Sequence, residues 1–337
     1  MSYQTALLAV GIEFDDPALE ATIRDGLQVV ESALQAAVRS EDEFVADVAK
    51  YLVNAGGKRF RPLLTLLAAQ FGDTEADPDG VVMSAVVCEL THLATLYHDD
   101  VMDEATVRRG ATAANTRWSN TIAILTGDFL FARASDILAD LGPEAVRIQA
   151  RTFERLVTGQ IRETVGPKAG VEPVEHYLSV LADKTGSLIA TSAEFGARFA
   201  GVEEQHVDCL RAFGEQLGIA FQISDDILDI ASESEQSGKT PGTDLREGVQ
   251  TLPVLYALQG SDPADARLRE LVGKPLTDDG EHAEALSLLR SASAMQQARD
   301  TMVEYAESAR SIIAGLPEAP AKAALQALAD LVVVRSG

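Results

Sequence analysis

The chain has 337 residues, 46% hydrophobic and 24% charged, which is enough apolar material for a large core and excludes a disordered tail or a small disulfide-held scaffold. Its 28 Lys and Arg against 52 Asp and Glu give a formal charge of -24, the wrong sign for neutralising the phosphates of a nucleic acid or an anionic lipid surface. The two cysteines, Cys88 and Cys209, both sit in apolar stretches, so a disulfide framework and a cysteine-ligated metal are excluded and a reducing compartment fits.

From the N-terminus, the apolar run Ala6 to Ile12 has no positive region before it and is followed by Glu13, Asp15 and Asp16; it is not read as a signal peptide. Nowhere do 18 apolar residues run uninterrupted, so no membrane-spanning helix is expected and the protein is read as soluble and cytoplasmic. Apolar residues then recur at helical spacing in long blocks, Val81 to Met102, Ile122 to Leu141, His206 to Ile230 and Ala294 to Leu316, which predicts an all-α protein. The first block carries little charge besides Glu89 before it reaches Asp99 and reads as a central helix. Gly56-Gly57, Gly72 to Gly80, Gly142-Pro143, Gly166 to Pro173 and Ser232 to Gly248 read as connections, and no Asn-Gly or Asp-Gly signal predicts a hairpin. One helical domain over residues 1–337 is expected, with its motifs in about 50–260 and Pro263 as the candidate break.

Two acidic motifs stand out, His98-Asp99-Asp100-Val101-Met102-Asp103 and Ser224-Asp225-Asp226-Ile227-Leu228-Asp229. Residues four apart on a helix are neighbours, about 5–6 Å between Cβ atoms, so Asp99 stacks on Asp103 and Asp225 on Asp229. Such pairs repel unless a divalent cation sits between them, and hard oxygen donors suit Mg²⁺, which binds jointly to carboxylates, water and substrate phosphate. Only seven lysines occur. Lys58 lies in Gly56-Gly57-Lys58-Arg59-Phe60-Arg61-Pro62, a Gly-opened cationic turn before a helix, and Arg108-Arg109-Gly110 follows the first acidic motif; cations near a helix N-terminus form an anion site. Metal-binding carboxylates, phosphate-binding cations and apolar walls together fit ionisation of an organic diphosphate away from water.

From Gly56 to Pro253 the chain closely resembles the trans-isoprenyl diphosphate synthases, the polyprenyl synthetase family. The ordered pieces are Gly-Gly-Lys-Arg-x-Arg-Pro, His92, the first acidic motif with Arg-Arg-Gly, Gly127-Asp128-Phe129-Leu130, Lys184-Thr185, Phe221-Gln222 with the second acidic motif, and Gly238-Lys239. The resemblance implies an all-α isoprenoid synthase fold with a central cavity, a homodimer, and Mg²⁺-dependent head-to-tail condensation of isopentenyl diphosphate with an allylic diphosphate. It implies catalytic roles for Asp99, Asp100, Asp103, Asp225, Asp226, Asp229 and Lys184, with Asp99, Asp103, Asp225 and Asp229 on the metals. Lys58, Arg61, His92 and Arg109 would hold isopentenyl diphosphate; Arg108, Lys184, Thr185, Gln222 and Lys239 would hold the allylic diphosphate. His98 reads as a core histidine. The chain departs from the family where Val249 replaces the lysine of Glu-Gly-Lys-x-Thr-Leu-Pro, and weaker allylic binding is expected.

In this family the growing tail runs beside the helix before Asp99. Ala94, Thr95 and Thr91 would line that tunnel, with Cys88 and Val87 deeper. Short-chain members commonly carry an aromatic at the place of Ala94 or Thr95; here both are small, so a product of heptaprenyl to decaprenyl length is expected, as for a quinone side chain, its release needing a membrane. A geranylgeranyl diphosphate synthase is the competitor within the family. A class I terpene cyclase would not need the Lys58 to Arg61 cluster, a non-catalytic partner subunit would have lost metal ligands, and a His-Asp phosphohydrolase would need more histidines than His92, His176, His206 and His282 supply.

Overall fold

The computed structural model describes residue 12 and residues 14–73, 76–232 and 241–335; Lys239, Gly238 and the run from Ala6 to Gly11 lie outside them. Helices start where the sequence supplies caps. In α1 (Pro17–Ala37) Pro17 opens the helix and the Asp16 carboxylate accepts from the Ala18 and Leu19 N–H groups, and α2 (Glu43–Asn54) repeats this with Asp42 on Phe44 and Val45. Buried Leu19, Ile23, Leu27, Val30 and Leu34 step three or four residues along α1, forming one apolar stripe.

Next come α3 (Phe60–Ala69) and α4 (Pro78–Met102). Gly80, read from sequence as part of a connection, lies in the first turn of α4, where its N–H donates to Asp77 at 2.9 Å. By length and composition α4 is apolar enough to cross a membrane, but its most apolar 18-residue window is 72% buried inside the protein. It is a core helix, and its mid-helix carboxylate, Glu89, is paired with Arg59 at 2.9 Å.

The chain then forms β1 (Val107–Arg108) and β2 (Ala111–Thr112), paired antiparallel. No hairpin was expected here, yet Arg109 and Gly110 make its turn at φ 53° and 75°, the two positive values a type I′ turn requires. Helices α5 (Ala114–Arg117), α6 (Asn120–Leu141), α7 (Pro143–Val165) and α8 (Pro173–Leu181) follow, then a π-helical turn at Ala182–Gly186, α9 (Ser187–Phe199) and α10 (Glu204–Ala231). The remainder is α11 (Thr243–Glu247), inside the stretch read as a connection, then α12 (Leu252–Gln259), α13 (Ala266–Val272), α14 (Asp279–Ser291), α15 (Ser293–Ile312) and α16 (Pro320–Val334). The all-α expectation holds, and the four long apolar blocks are α4, α6, α10 and α15 with its 3-10 extension.

Two compact units organise the chain. The first comprises Met1–Glu154, Leu188–Gly214 and Gly315–Ala327; in it α4 packs on α1, on α3 and most extensively on α6. The second comprises Arg155–Ser187, Glu215–Ala314 and Leu328–Gly337; in it α12 packs on α15, α13 and α8. Pro263 opens a single 3-10 turn inside the second unit and marks no boundary. Cys88 is buried in the first unit, its thiol pushed up to about 12 by burial, and Cys209 is half-buried.

Candidate active site

The first acidic motif closes α4. Asp100 is completely covered: its Oδ1 accepts from Arg108 Nε at 2.6 Å and its Oδ2 from the Ala114 N–H at 3.1 Å. Asp103 is 54% exposed, with Arg108 Nη2 3.6 Å away. Asp99 is half-buried one turn above Asp103, whose N–H donates to the Asp99 carbonyl at 2.8 Å. The hairpin turn at Arg109-Gly110 returns the chain so that Arg108 reaches the motif. Within one Asp-Asp-x-x-Asp sequence the structure therefore separates a fully covered carboxylate fixed by protein donors, Asp100, from a half-buried one, Asp99, and a half-exposed one, Asp103.

Beside it lies a cation cluster. Gly56, Gly57 and Arg59 all have positive φ, at 87°, 147° and 50°, and this bent loop places Lys58 at the surface and Arg61 at the start of α3. Arg109 Nη1 donates to the Leu52 carbonyl at 3.2 Å and more closely to that of Gly56. Burial lowers the proton affinity of Arg61 and Arg109, with Glu89 opposing it, and Arg61 Nε is buried with no hydrogen-bond partner. Burial, then the charges of Arg61, Arg109, Arg59 and Arg108, hold His92 well below the ordinary imidazole value. A neutral histidine among crowded guanidinium groups is an environment that a multiply charged anion relieves.

The second motif ends α10 and again buries its central aspartate. Asp226 is 6% exposed; its Oδ1 accepts from Gln222 Nε2 at 3.1 Å and its Oδ2 from the Tyr177 hydroxyl in a short bond. Burial pushes its carboxyl up to about 8, against the pull of those two donors. Asp225 is 46% exposed and lies 2.8 Å from Arg335 Nη2. Asp229 is half-buried and accepts from the Thr243 and Asp244 N–H groups, both at 3.3 Å. In the π-helical turn Lys184 Nζ lies 2.5 Å from Glu163, and the Thr185 hydroxyl donates to Gln222 Oε1 at 3.4 Å.

These donors fit a hard cation bound in part. Among the described residues no three His, Cys, Asp or Glu side chains converge to enclose a metal. One half-exposed carboxylate per motif, Asp103 and Asp225, with half-buried Asp99 and Asp229 a turn away, matches an ion that completes its shell with water and ligand oxygens, as Mg²⁺ does.

The polyprenyl synthetase family pattern matches residues 42–289, a span that contains both motifs and the cation cluster. The chain belongs to the polyprenyl synthetase family. This polyprenyl synthetase is 51% identical over 332 residues to the nonaprenyl diphosphate synthase of Mycobacterium tuberculosis, covering 98% of this chain and 99% of that one. Its structure is similar to a geranylgeranyl pyrophosphate synthase from Corynebacterium glutamicum complexed with calcium and isoprenyl diphosphate (TM-score 0.86, 47% identity, 97% and 100% covered). It is also similar to a decaprenyl diphosphate synthase from Rhodobacter capsulatus (TM-score 0.84, 31% identity, 100% of both chains).

The synthetase brings Arg61, His92 and Arg109 together and seats Arg108 on the first motif, while Lys58 stands at the surface of the same loop. Ala94 and Thr91 are completely covered, and the Thr91 hydroxyl accepts from Gln149 Nε2 at 2.8 Å. Thr95 is half-buried and donates to the His92 carbonyl at 2.8 Å. His98 bridges α4 to α6, its Nε2 3.1 Å from the Ile124 carbonyl and 3.4 Å from Asp128. Val249 is exposed on the loop after α11.

Sequence reading missed Tyr177, Arg335 and the Arg59–Glu89 pair. Tyr177 stands seven residues before Lys184, a spacing with no signal of its own. Arg335 is 111 residues from its partner Ser224, where it donates at 2.9 Å, and no local pattern reports such a contact. Arg59 was visible only as one of three cations.

Proposed function

We propose that this chain is a trans-prenyltransferase that condenses isopentenyl diphosphate head-to-tail with an allylic diphosphate, in repeated cycles, to an all-trans polyprenyl diphosphate of heptaprenyl to decaprenyl length. The observation that carries this reading is the repeated form of the acidic motifs: in each the central aspartate is buried and fixed by protein donors, while Asp103 and Asp225 beside it stand about half exposed. Asp99, Asp103, Asp225 and Asp229 would hold Mg²⁺, which when bound would supply Lewis-acid neutralisation of a departing diphosphate. Asp100 and Asp226 orient those ligands from within. Arg108, Lys184, Thr185, Gln222 and Lys239 serve the allylic diphosphate.

Lys58, Arg61 and Arg109 receive isopentenyl diphosphate, with His92 beside them. In each cycle the allylic C–O bond breaks, the isopentenyl double bond supplies the electron pair of the new C–C bond, and the proton lost from the adjacent carbon goes to the released diphosphate. Exclusion of water by apolar walls keeps the allylic cation from being quenched. The enzyme is read as a cytoplasmic homodimer, a state that light scattering of the purified protein tests.

Relatives named for nonaprenyl and decaprenyl products support the long product. A shorter, geranylgeranyl product is the second reading, favoured by the Corynebacterium glutamicum likeness and by the complete cover over Ala94. Mass spectrometry of products from Mg²⁺, isopentenyl diphosphate and dimethylallyl, geranyl, farnesyl or geranylgeranyl diphosphate tests both. A ladder past geranylgeranyl supports the first, termination there the second, and no elongation from any primer overturns the prenyltransferase reading.

A further inference from the structure

Arg59 sits between Lys58 and Arg61 in the cationic turn but does not share their exposure. It is 8% exposed, and its partner Glu89, on α4, is 2% exposed. All five of its N–H donors have acceptors. Nε donates to Glu31 Oε2 at 2.8 Å; Nη1 to Glu89 Oε1 at 2.9 Å and the Gly56 carbonyl at 3.4 Å; Nη2 to Glu31 Oε1 at 3.2 Å and the Val53 carbonyl at 3.0 Å. A guanidinium so engaged has nothing left for a ligand. Its backbone is left-handed, φ 50° and ψ 37°, a conformation that disfavours any residue with a Cβ and persists only where its surroundings over-determine it.

The Gly56 carbonyl also accepts from Arg109 Nη1, so Arg59 and Arg109 are tied to one oxygen. On the next residue, a Cβ at Gly57 would stand 3.0 Å from the Arg109 guanidinium, so the loop backbone and Arg109 are in direct contact. Moving Arg59 moves Gly56, and with it Arg109 and the base of Lys58.

We propose that Arg59 is a positioning residue for isopentenyl diphosphate, a buried clamp that, held by Glu89 and Glu31, fixes the Val53 to Gly57 backbone so that Lys58 and Arg109 meet the diphosphate. The proposal rests on the assignment of Lys58, Arg61, His92 and Arg109 to that substrate.

The test uses Arg59→Lys, which keeps the charge and loses the fork, and Arg59→Gly, which also accepts the left-handed backbone without strain. In steady-state assays the KM for isopentenyl diphosphate is expected to rise about tenfold or more, with the allylic KM and the Mg²⁺ midpoint within about twofold of the parent. Calorimetry without metal is expected to show the same loss of affinity for isopentenyl diphosphate itself. An unchanged isopentenyl KM in a folded variant, or both KM values rising together as a merely structural defect would make them, overturns the proposal. Should both variants fail to fold, Glu31→Gln weakens the clamp from its half-buried side and is expected to raise the isopentenyl KM about threefold; no rise there is equally fatal. If the parent enzyme elongates no primer, the failure belongs to the functional reading, while its calorimetric binding of isopentenyl diphosphate still reports on the clamp.

Discussion

Asp99 and Asp100 are adjacent and chemically identical, yet the fold gives them different work. Asp100 satisfies Arg108 and the Ala114 N–H from a fully covered position, so Asp100→Ala leaves a buried N–H unmatched and a half-buried guanidinium with only the more distant Asp103. It should cost about 2–3 kcal/mol of stability, read as a shifted urea midpoint. Asp99→Asn should leave the midpoint nearly unchanged and lower kcat by roughly 100-fold or more if Asp99 holds metal as proposed; the reverse pattern would exchange their roles. His92 supplies a pH dependence. Its folded value lies well below the ordinary 6.5, so on acidification the unfolded chain takes up the proton first, and folding stability falls as the pH drops below about 6.5. Asp226, raised to about 8, acts in the opposite direction over the same range, so the His92 contribution is read as the difference between parent and His92→Gln in thermal midpoints from pH 7.5 to 5.5: the parent should lose stability relative to the variant as the pH falls. The sequence spelled out both acidic motifs, but which carboxylate turns inward depends on distant donors, Arg108 and Ala114 for Asp100 and Tyr177 for Asp226.

At the scale of elements, the packing of α4 on α6 depends on Gly127. A Cβ there would come 2.3 Å from His98 Nε2 and 3.0 Å from the Ala94 carbonyl, so Gly127→Ala must push the helices apart or eject His98 from its bond to Ile124. A loss of about 1–3 kcal/mol is expected, with a lower denaturant midpoint as the measurement; an unchanged midpoint would mean the contact is not tight. Helices α4, α6 and α10 were legible because 3.6-residue periodicity and caps are local. Two elements were not. The hairpin turn uses Arg-Gly, which carries a weaker local signal than Asn-Gly. The π-helical turn follows from partners on α7: Arg155 and Arg162 both bind Asp183, at 3.0 and 3.1 Å, and Gly159 lets the Lys184 backbone approach closely.

For the whole molecule, product length is the property most dependent on assembly. Ala94 is completely covered, so a phenyl ring there must intrude on whatever space the tail uses beside α4. Ala94→Phe should shift the product distribution towards shorter chains by mass spectrometry, and an unchanged distribution would remove Ala94 from the path of the tail. The sequence by itself determined the all-α class, the positions of four of the long helices, the two acidic motifs and the cationic turn, because these are written in local periodicity and in residue types close along the chain. Only the tertiary structure decided which acidic side chains are buried, that Arg59 is a clamp and Arg109 its neighbour, and that Arg335 lies on Asp225. The physical reason is that burial and hydrogen-bond partnership are set by residues tens to more than a hundred positions apart, whose contacts exist only once the chain has folded.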